Sequence, residues 1–435
     1  MFNYAQAILD LHTLLQREYW KSDRLKDFQN ERLRSVIKYA YDFVPFYHKK
    51  FRLLGLKPSD FKSKEDLRKL PVLSKSEIRQ NVKEMVSTEF DLNDLRMLST
   101  SGSTGSPLFL YINGRENMFR KAKHLRANFA CGQKPLDKWV TIIAPHHFGE
   151  ASKFQRSLGL FTPTPISVFT ETSAQVSLIE RLQPDILDGY SSSLFVLAKE
   201  LEKNDVSTIR PKSVIGGAEL IDSNSREFIE KIFQTNFYDQ YSSVEMERMS
   251  WQCCVRDQYH IDSDALIMEF VDKNGEEVSS GERGEIVCTS LFNYAMPFFR
   301  YAIGDVGIPS DEMCSCGRSL PLMKTVEGRK DSLLVLPDGR SLTPRAFTIA
   351  MNMFKYYSFI EQFRVVQNKI DLFEFSLVLK KESIGKDVVE AEFVKHLKKV
   401  FCHDQMRFDI KFVDSIPLDK NGKFKVAVSN LKQRR

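Results

Sequence analysis

The feature that most restricts the fold of this 435-residue chain is an alternation of short apolar segments with helical segments between residues 140 and 243. Each apolar segment has the length of a buried strand and ends in small or polar residues. Strands separated by helices form a largely parallel sheet that is covered on both faces. In such sheets the ligand-binding groups collect beyond the carboxyl ends of the strands. The predicted strands are 140–145, 185–190, 213–219 and 235–243, and the helical segments include 192–204 and 223–233.

The rest of the chain has other patterns. Residues 1–90 have the apolar spacing of helices, whereas 259–310 has two β-like runs around turn signals, which is typical of antiparallel strands. The last part, of about a hundred residues, combines β-like runs with the helical segment 388–401, a plausible size for a second domain. We therefore predict an α/β protein with a large N-terminal domain over 1–330, built on mostly parallel sheets, and a small α+β C-terminal domain over 331–435.

The composition excludes several classes of protein. Hydrophobic residues make up 42% of the chain and charged residues 28%, as in soluble globular proteins, and the net charge of +6 is too mild to predict a nucleic-acid binder. Asp10 and His12 interrupt the apolar N-terminal stretch, which argues against a signal peptide, and no apolar run reaches the roughly 20 residues that span a bilayer. Seven cysteines, an odd number, indicate a reducing compartment. We expect a soluble cytoplasmic protein.

A loop rich in serine, threonine and glycine lies at residues 98–110. Gly102 and Gly105 allow backbone N–H groups to approach an anion, and phosphate is the anion that such a loop would bind most readily. No lysine follows the second glycine, so the loop is not a Walker A motif. A flexible surface linker is the alternative, but the strand-like segment after Pro107 favours a hairpin. The hydroxyl donors are Ser99, Thr100, Ser101, Ser103 and Thr104.

Six motifs in order along the chain resemble those of the adenylate-forming enzymes, the acyl-CoA synthetase and luciferase superfamily. The resemblance covers essentially the whole chain. The motifs are "STSGSTGSP" (99–107) for the phosphate loop, "GGAEL" (216–220) for the adenine pocket, "YDQYSSVEME" (238–247) for "YGxTE", "RYAIGDVG" (300–307) for "RYxTGD", "EGRKD" (327–331) for the hinge and "LDKNGKFK" (418–425) for the C-terminal lysine motif.

The resemblance implies an ATP site with Glu245 and Lys423 as catalytic residues. Glu245 would also hold Mg²⁺, and Asp331 would be the hinge of a mobile C-terminal domain. These roles agree with the chemistry, because joining a carboxylate to ATP brings two anions together and the site has to neutralise their charge. The residues that the resemblance assigns to nucleotide binding are Ser99, Thr100, Ser101, Gly102, Ser103, Thr104, Gly105, Gly217, Ala218, Glu219, Tyr241, Ser242, Ser243, Asp305 and Arg329.

The sequence departs from the family pattern at three positions. Ser242 and Val244 stand where the family has glycine and threonine, and Ile303 stands where threonine is usual. The loss of the threonine hydroxyl at Val244 puts a direct phosphate contact there in doubt. Taken alone, Glu245 is equally compatible with a helix cap, and Asp305 with a turn before a glycine.

A substrate pocket is implied at the ends of three predicted strands. The resemblance places His146 and His147 beside the acyl and acceptor channels, and Tyr190 and Gly216 in the lining of the carboxylate pocket. A polar loop at the end of a strand is the alternative interpretation for the two histidines.

A second group, Cys253, His260, Cys314 and Cys316, has the side chains that bind zinc tetrahedrally in a reducing compartment. The segments that contain them resemble the phenylacetate-CoA ligase branch, which includes CapK-like proteins and in which a structural zinc site of this composition occurs. Cys254 is an alternative to Cys253. The site would hold two loops together near the ATP pocket, a stabilising role.

The resemblance implies an AMP-forming acid–thiol ligase that makes an acyl-adenylate and then a coenzyme A thioester. Two alternatives stay open. One is an adenylate-forming acyltransferase, CapK-like, that serves polysaccharide or secondary metabolism and uses an amine, hydroxyl or carrier protein as acceptor; the other is a non-catalytic nucleotide-binding protein. We expect a small carboxylic acid, ATP, Mg²⁺, Zn²⁺ and coenzyme A as ligands, no nucleic acid and no membrane, and leave open whether the chain forms a homodimer.

Overall fold

The computed structural model describes most of the chain, and its residues group into two compact units. Unit 1 consists of Met1–Gln133 and Tyr238–Val326, and unit 2 of Lys134–Phe237 and Glu327–Arg435. The domain boundary predicted between residues 330 and 331 stays a prediction. The described residues are 4–99, 108–145, 148, 151–329, 334–337, 341–342, 347, 350–351, 353–380, 385–401, 406–417 and 424–431.

Helices dominate the N-terminal part, as the apolar spacing predicts, and recur between the strands of unit 2. The α-helices in the described part are α1 (Tyr4–Arg17), α2 (Ser22–Phe43), α3 (Pro45–Leu53), α4 (Lys75–Asn81), α5 (Gly114–Ala130), α6 (Lys153–Leu158), α7 (Thr172–Leu182), α8 (Ser191–Lys203), α9 (Ser223–Phe233) and α10 (Lys386–Phe401). Short 3₁₀ helices lie at Pro58–Asp60, Lys64–Lys69, Leu92–Asp94 and Tyr357–Phe359.

The strands in the described part are β1 (Arg96–Ser99), β2 (Phe109–Ile112), β3 (Trp139–Ile143), β4 (Pro163–Ser167), β5 (Ile186–Tyr190), β6 (Ser213–Gly217), β7 (Phe237–Ser243), β8 (Glu247–Gln252), β9 (Tyr259–Ile261), β10 (Leu266–Val271), β11 (Gly284–Ser290), β12 (Tyr301–Ser310), β13 (Leu322–Arg329), β14 (Leu334–Val335), β15 (Ser341–Leu342), β16 (Ile360–Lys369), β17 (Leu372–Leu379), β18 (Arg407–Phe412) and β19 (Ala427–Ser429).

Unit 1 contains the antiparallel strands. Their order is β10-β11-β12-β13-β9-β8-β7, and β7 pairs antiparallel with β8 through Gln240↔Trp251 and Ser243↔Glu247. We predicted β7 as a further strand of the parallel series, and its pairing with β8 does not test that prediction. Its pairing with β8 is antiparallel because the link between them, residues 244–246, is far too short for the crossover that parallel strands need. The core of this unit includes Phe51, Phe298 and Tyr301.

Unit 2 contains the parallel strands in the order β6-β5-β3-β4. β3 pairs parallel with β4 and β5, and β5 with β6. The helix α8 follows β5 directly and packs on β5 and β6, which is the strand–helix alternation of the sequence. The C-terminal part of unit 2 has its own sheet in the order β18-β17-β16-β19, with α10 and a core rich in phenylalanine. The predicted combination of a parallel α/β sheet with a smaller α+β C-terminal part is confirmed.

No helix in the described part of the chain has both the length and the apolar character needed to cross a membrane.

Helix α5 carries a fully buried cation that ties it to the β9–β10 region of unit 1. Both terminal nitrogens of Arg126 donate to the carboxylate of Asp264 at 2.9 Å, and Nη2 also lies 2.7 Å from Oδ1 of Asp262. The three side chains have no exposed surface. Burial alone would lower the pKa of Arg126, but the charges of Asp262 and Asp264 raise it above its ordinary value.

We expect Arg126→Met to lower the free energy of unfolding by about 3–5 kcal/mol, because it removes the nearest cation from two buried carboxylates and leaves Lys123 at 3.8 Å from Asp262 and Arg17 at 4.0 Å from Asp264. Urea unfolding monitored by tryptophan fluorescence measures this change. Arg52→Met is the matched control, since Arg52 lies exposed on α3 and its replacement should change stability by less than about 0.5 kcal/mol. A cost below about 1 kcal/mol for Arg126→Met would contradict the assigned role.

Candidate active site and metal cluster

Glu245 lies at the tip of the β7–β8 hairpin and is 3% exposed. Its Oε1 accepts a hydrogen bond of 2.5 Å from the hydroxyl of Tyr301, a fully buried residue at the start of β12. This bond fixes the orientation of the carboxylate and leaves the second oxygen for another ligand. A carboxylate oxygen is the kind of ligand that Mg²⁺ binds, so Glu245 fits the predicted magnesium site chemically.

Two cations on α5 hold the backbone of the same hairpin. Arg120 donates to the carbonyl oxygens of Val244 at 2.7 Å and Glu245 at 3.3 Å, and Lys123 donates to the carbonyl oxygen of Met246 at 3.0 Å. Both cations are buried, and burial lowers the pKa of Lys123. We did not predict either residue. A spacing of three residues places both side chains on one face of the helix. Two cations on an exposed face would have the same spacing, so the sequence pattern could not show that these two are buried.

Tyr241 and Asp305 lie in direct contact, although their motifs are about sixty residues apart. The hydroxyl of Tyr241 on β7 donates to Oδ2 of Asp305 on β12 at 2.7 Å. Ser242 and Ser243 continue β7, and the Ser243 hydroxyl accepts the N–H of Met246, which closes the turn. The roles of these residues in nucleotide binding stay predictions. Ile303, at the position where threonine is usual, is 1% exposed and packs in the core.

The predicted adenine segment lies at the end of β6 in unit 2. Gly216 and Gly217 close the strand, and Ala218 has a φ of 65°, which is unusual for a residue with a Cβ. A side chain at Gly216 would collide with the ring of Phe237, so packing requires glycine there. Glu219 accepts hydrogen bonds from two backbone N–H groups, that of Ser192 at 2.9 Å and that of Phe424 at 2.6 Å.

The predicted pocket residue Tyr190 ends β5 and is 5% exposed. Its hydroxyl accepts the N–H of Ala144, which directly follows β3, so the ends of the two neighbouring strands are linked. Tyr190 therefore lies at the carboxyl end of the parallel strands, the edge at which ligands bind in sheets of this kind.

Ser99 is the last residue of β1 and pairs with Phe109 of β2. The two strands are antiparallel, so the serine- and glycine-rich segment joins the strands of a hairpin rather than two domains. The remaining predicted site residues lie outside the described part, and their roles stay predictions. They are Thr100, Ser101, Gly102, Ser103, Thr104, Gly105, His146, His147, Asp331, Lys423 and the side chain of Arg329.

Cys253, His260, Cys314 and Cys316 lie together, with one ligand atom of each within 4.8 Å of the others. The Sγ atoms of Cys253 and Cys314 are 3.6 Å apart, and Sγ of Cys316 is 3.4 Å from Nε2 of His260. Zinc bound tetrahedrally at about 2.3 Å from each sulfur places two sulfurs about 3.8 Å apart, so the four residues fit this metal. Cys254 is exposed and is not part of the group.

The histidine of the cluster is neutral at pH 7, and the strands around the cluster hold its four residues together. Burial and the charge of Arg318 lower the pKa of His260 to about 4, so its ring is neutral at pH 7, the form that binds a metal. Cys253 follows β8, His260 lies in β9, and the other two cysteines belong to the loop between β12 and β13. Because β13 pairs with β9 at Leu322↔His260, this sheet holds the loop against the histidine.

Comparison with known proteins agrees with the family resemblance of the sequence motifs. The phenylacetate-coenzyme A ligase of Pseudomonas putida is 30% identical over 331 residues, which are 72% of each chain. The chain belongs to the phenylacetate-CoA ligase family of adenylate-forming proteins. Protein CapK of Staphylococcus aureus is 24% identical over 422 residues, 94% of this chain and 90% of CapK, and residues 338–430 match the family model for the CapK C-terminal domain.

Solved structures show that this member of the phenylacetate-CoA ligase family has the fold of other acyl-CoA ligases. A crystal structure of 2-hydroxyisobutyryl-CoA ligase with 2-HIB-AMP has a TM-score of 0.81 at 20% identity and covers 95% of this chain and 91% of its own. A benzoate CoA ligase from Burkholderia xenovorans LB400 has a TM-score of 0.57 at 14% identity and covers 78% of this chain and 69% of its own. The predicted adenylate-forming fold is therefore confirmed.

We expect this phenylacetate-CoA ligase family protein to copurify with zinc and Cys316→Ser to lose it, because serine is a much weaker zinc ligand than a thiolate. Bound zinc, measured by elemental mass spectrometry, should fall at least about tenfold, and the Tm should fall, because a structural zinc contributes directly to folding free energy. Cys254→Ser is the matched control and should keep both values. Unchanged stoichiometric metal in Cys316→Ser would remove the assignment.

Proposed function

We propose that this protein is an AMP-forming acid–thiol ligase that activates a carboxylic acid with ATP and transfers the acyl group to coenzyme A. The observation that carries the proposal is the hydrogen bond between Tyr241 and Asp305, since it unites two motifs that the family resemblance assigns to one nucleotide. The relatives support it, because they include phenylacetate-coenzyme A ligases and a solved ligase that binds an acyl-AMP and CoA.

The proposed reaction has two steps. In the first, an oxygen of the acid's carboxylate attacks the α-phosphorus of ATP, the bond to the β-phosphate oxygen breaks, and pyrophosphate leaves with its electron pair. The acyl-adenylate formed is a mixed anhydride with a good leaving group. In the second step the thiolate of coenzyme A, which has given up its proton, attacks the acyl carbon, and AMP leaves. ATP supplies the energy, so no oxidant or reductant is required.

The buried carboxylate of Glu245 is proposed to bind Mg²⁺, with Tyr301 keeping the carboxylate in one orientation. Bound magnesium would neutralise phosphate charge during the first step. Arg120 and Lys123 support the same site indirectly, because their bonds to the hairpin carbonyls fix the backbone that carries Glu245. Lys423 is proposed to supply the second positive charge at the phosphates.

The four residues of the metal cluster are proposed to hold a structural Zn²⁺. The cluster is assigned no step in the reaction. It joins the β8–β9 turn to the loop before β13, and so stabilises the sheet from which the β7–β8 hairpin projects.

A second candidate function differs only in the acceptor. The adenylate would pass its acyl group to an amine, a hydroxyl or a carrier protein, as the CapK relationship suggests. Two observations favour it. The C-terminal region matches the CapK C-terminal domain model, and CapK aligns with 94% of the chain, whereas the phenylacetate-coenzyme A ligases align with 72%. A cytoplasmic location remains a prediction from the sequence, and whether the chain forms a homodimer stays open.

A screen of carboxylic acids by ATP–pyrophosphate exchange tests the first step. We expect one class of acid to support exchange, and Lys423→Ala to reduce it at least about a hundredfold, because the transition state would lose a charge-assisted contact. Mass spectrometry of the products with and without coenzyme A then decides the acceptor. A thioester supports the ligase, and accumulated adenylate that coenzyme A does not consume supports the second candidate. Absence of exchange with every acid would refute the proposal.

Tyr301→Phe should raise the Mg²⁺ concentration required for half-maximal exchange by about tenfold, because it removes a hydrogen bond to a charged carboxylate and leaves the packing intact. A titration of Mg²⁺ against the initial rate measures this. Tyr47→Phe is the matched control, since Tyr47 is buried in the same core and donates to the carbonyl of Pro297 instead. An equal shift in both variants would show that the Tyr301 hydroxyl acts only on stability.

A further inference from the structure

The carboxylate of Glu219 connects two parts of unit 2 that are far apart in sequence. Oε2 accepts the N–H of Ser192, the second residue of α8, at 2.9 Å, and Oε1 accepts the N–H of Phe424 at 2.6 Å. Both donors are backbone groups, so neither contact depends on the mobility of a second side chain. A carboxylate with one amide on each oxygen is held in a single orientation.

The position of Glu219 favours a charged carboxylate. The first N–H groups of a helix have no partner within the helix, and the aligned peptide dipoles place positive potential there. Glu219 satisfies one of these groups in α8, which is thirteen residues long. Hydrogen bonds to a carboxylate are short and about twice as strong as those between neutral groups, in agreement with the 2.6 Å separation at Phe424.

The second donor belongs to the peptide group that joins Lys423 to Phe424. Lys423 lies outside the described residues, but the chain after it is firmly held. Val426 accepts the N–H of Val365 at 2.8 Å, Lys425 accepts a bond from Arg364 at 3.1 Å, and β19 pairs parallel with β16. Glu219 therefore restrains the backbone of the predicted lysine motif at the residue that follows Lys423.

Unit 2 contains another contact between the segment after β6, which includes Glu219, and the C-terminal part of the chain. The hydroxyl of Tyr357 donates to Oδ1 of Asp222 at 2.7 Å, and Asp222 also caps α9 by accepting the N–H of Ser225. Tyr357 is separated from Lys423 by more than sixty residues. The Tyr357 contact joins the two regions through residues other than those of the lysine motif, so the two contacts can be tested against each other.

We propose that Glu219 is a positioning residue for the first step of the reaction. Its carboxylate holds the backbone at Phe424 and thereby sets the place from which Lys423 acts. The inference rests on the proposed function, and it gives Glu219 a role other than the nucleotide contact predicted from the sequence. Since the charge on the phosphates that Lys423 is proposed to neutralise develops in the first step, Glu219 should affect adenylate formation and not thioester formation.

Glu219→Gln is the informative variant. The amide has nearly the shape of the carboxylate, but its NH₂ group has to face one of the two N–H donors, whichever way it is turned. We expect kcat of ATP–pyrophosphate exchange to fall by about tenfold to a hundredfold, with the KM for ATP within about threefold of the wild type. A rise in KM with unchanged kcat would instead indicate a direct nucleotide contact and overturn the proposal.

The second step serves as an internal control. Thioester formation from coenzyme A and the acyl-adenylate of the acid that supports exchange, both supplied to the full-length protein, should stay within about twofold of the wild type. Tyr357→Phe is the matched variant, because it removes a hydrogen bond between the same two regions away from the lysine motif. Equal losses of kcat in Glu219→Gln and Tyr357→Phe would reduce Glu219 to a structural contact.

Amide hydrogen exchange gives a readout that does not depend on activity. Peptides that contain Phe424 should exchange faster in Glu219→Gln and at the wild-type rate in Tyr357→Phe, and protection that is unchanged in Glu219→Gln would overturn the inference. A further outcome is that no acid supports pyrophosphate exchange by the wild type, while amide hydrogen exchange at Phe424 is still faster in Glu219→Gln. The proposed function then fails. The positioning role of Glu219 in the reaction fails with it, and the backbone restraint alone is confirmed.

Discussion

The positively charged, buried face of α5 is the element on which unit 1 depends. Arg126 neutralises two carboxylates of the β9–β10 region, and Arg120 and Lys123 bond to the carbonyl groups of the β7–β8 turn. A turn of three residues cannot satisfy its own carbonyls in a buried environment, and unpaired ones would cost free energy. One helix therefore both stabilises the sheet and fixes the tip at which Glu245 lies. Stability of the unit and placement of the Glu245 carboxylate depend on different side chains of the same helix.

The sequence predicts the regular elements of unit 2 well, because there the pattern of apolar residues and the local structure have the same cause. The predicted helix over 223–233 is α9, and the predicted strands at 185–190 and 213–219 are β5 and β6 with slightly different ends. Strand direction is less local. Periodicity identifies 235–243 as a strand, but its antiparallel pairing follows from the length of the turn after it.

The candidate site could be predicted only where residues belong to motifs. The motifs name Tyr241, Glu245 and Asp305, and Tyr301 belongs to the same motif as Asp305. The two cations of α5 that hold the hairpin backbone have no signature of their own. In the sequence, Arg120 and Lys123 resemble surface cations of an amphipathic helix. In the structure, the β7–β8 hairpin covers them. The choice between Cys253 and Cys254 also depends on the three-dimensional structure, because the direction of the chain after β8 decides which thiol faces His260.

The glycine at position 216 has a consequence for how acid specificity in this fold can change. The ring of Phe237 occupies the space that a Cβ at position 216 would take, so a larger side chain there would collide with the packed interior. A larger residue at 216 is the simplest change that would narrow a substrate pocket. It does not fit here unless Phe237 is replaced by a smaller residue at the same time. If position 216 lines the pocket as predicted, a shift in substrate choice that acts through it would require paired changes at 216 and 237.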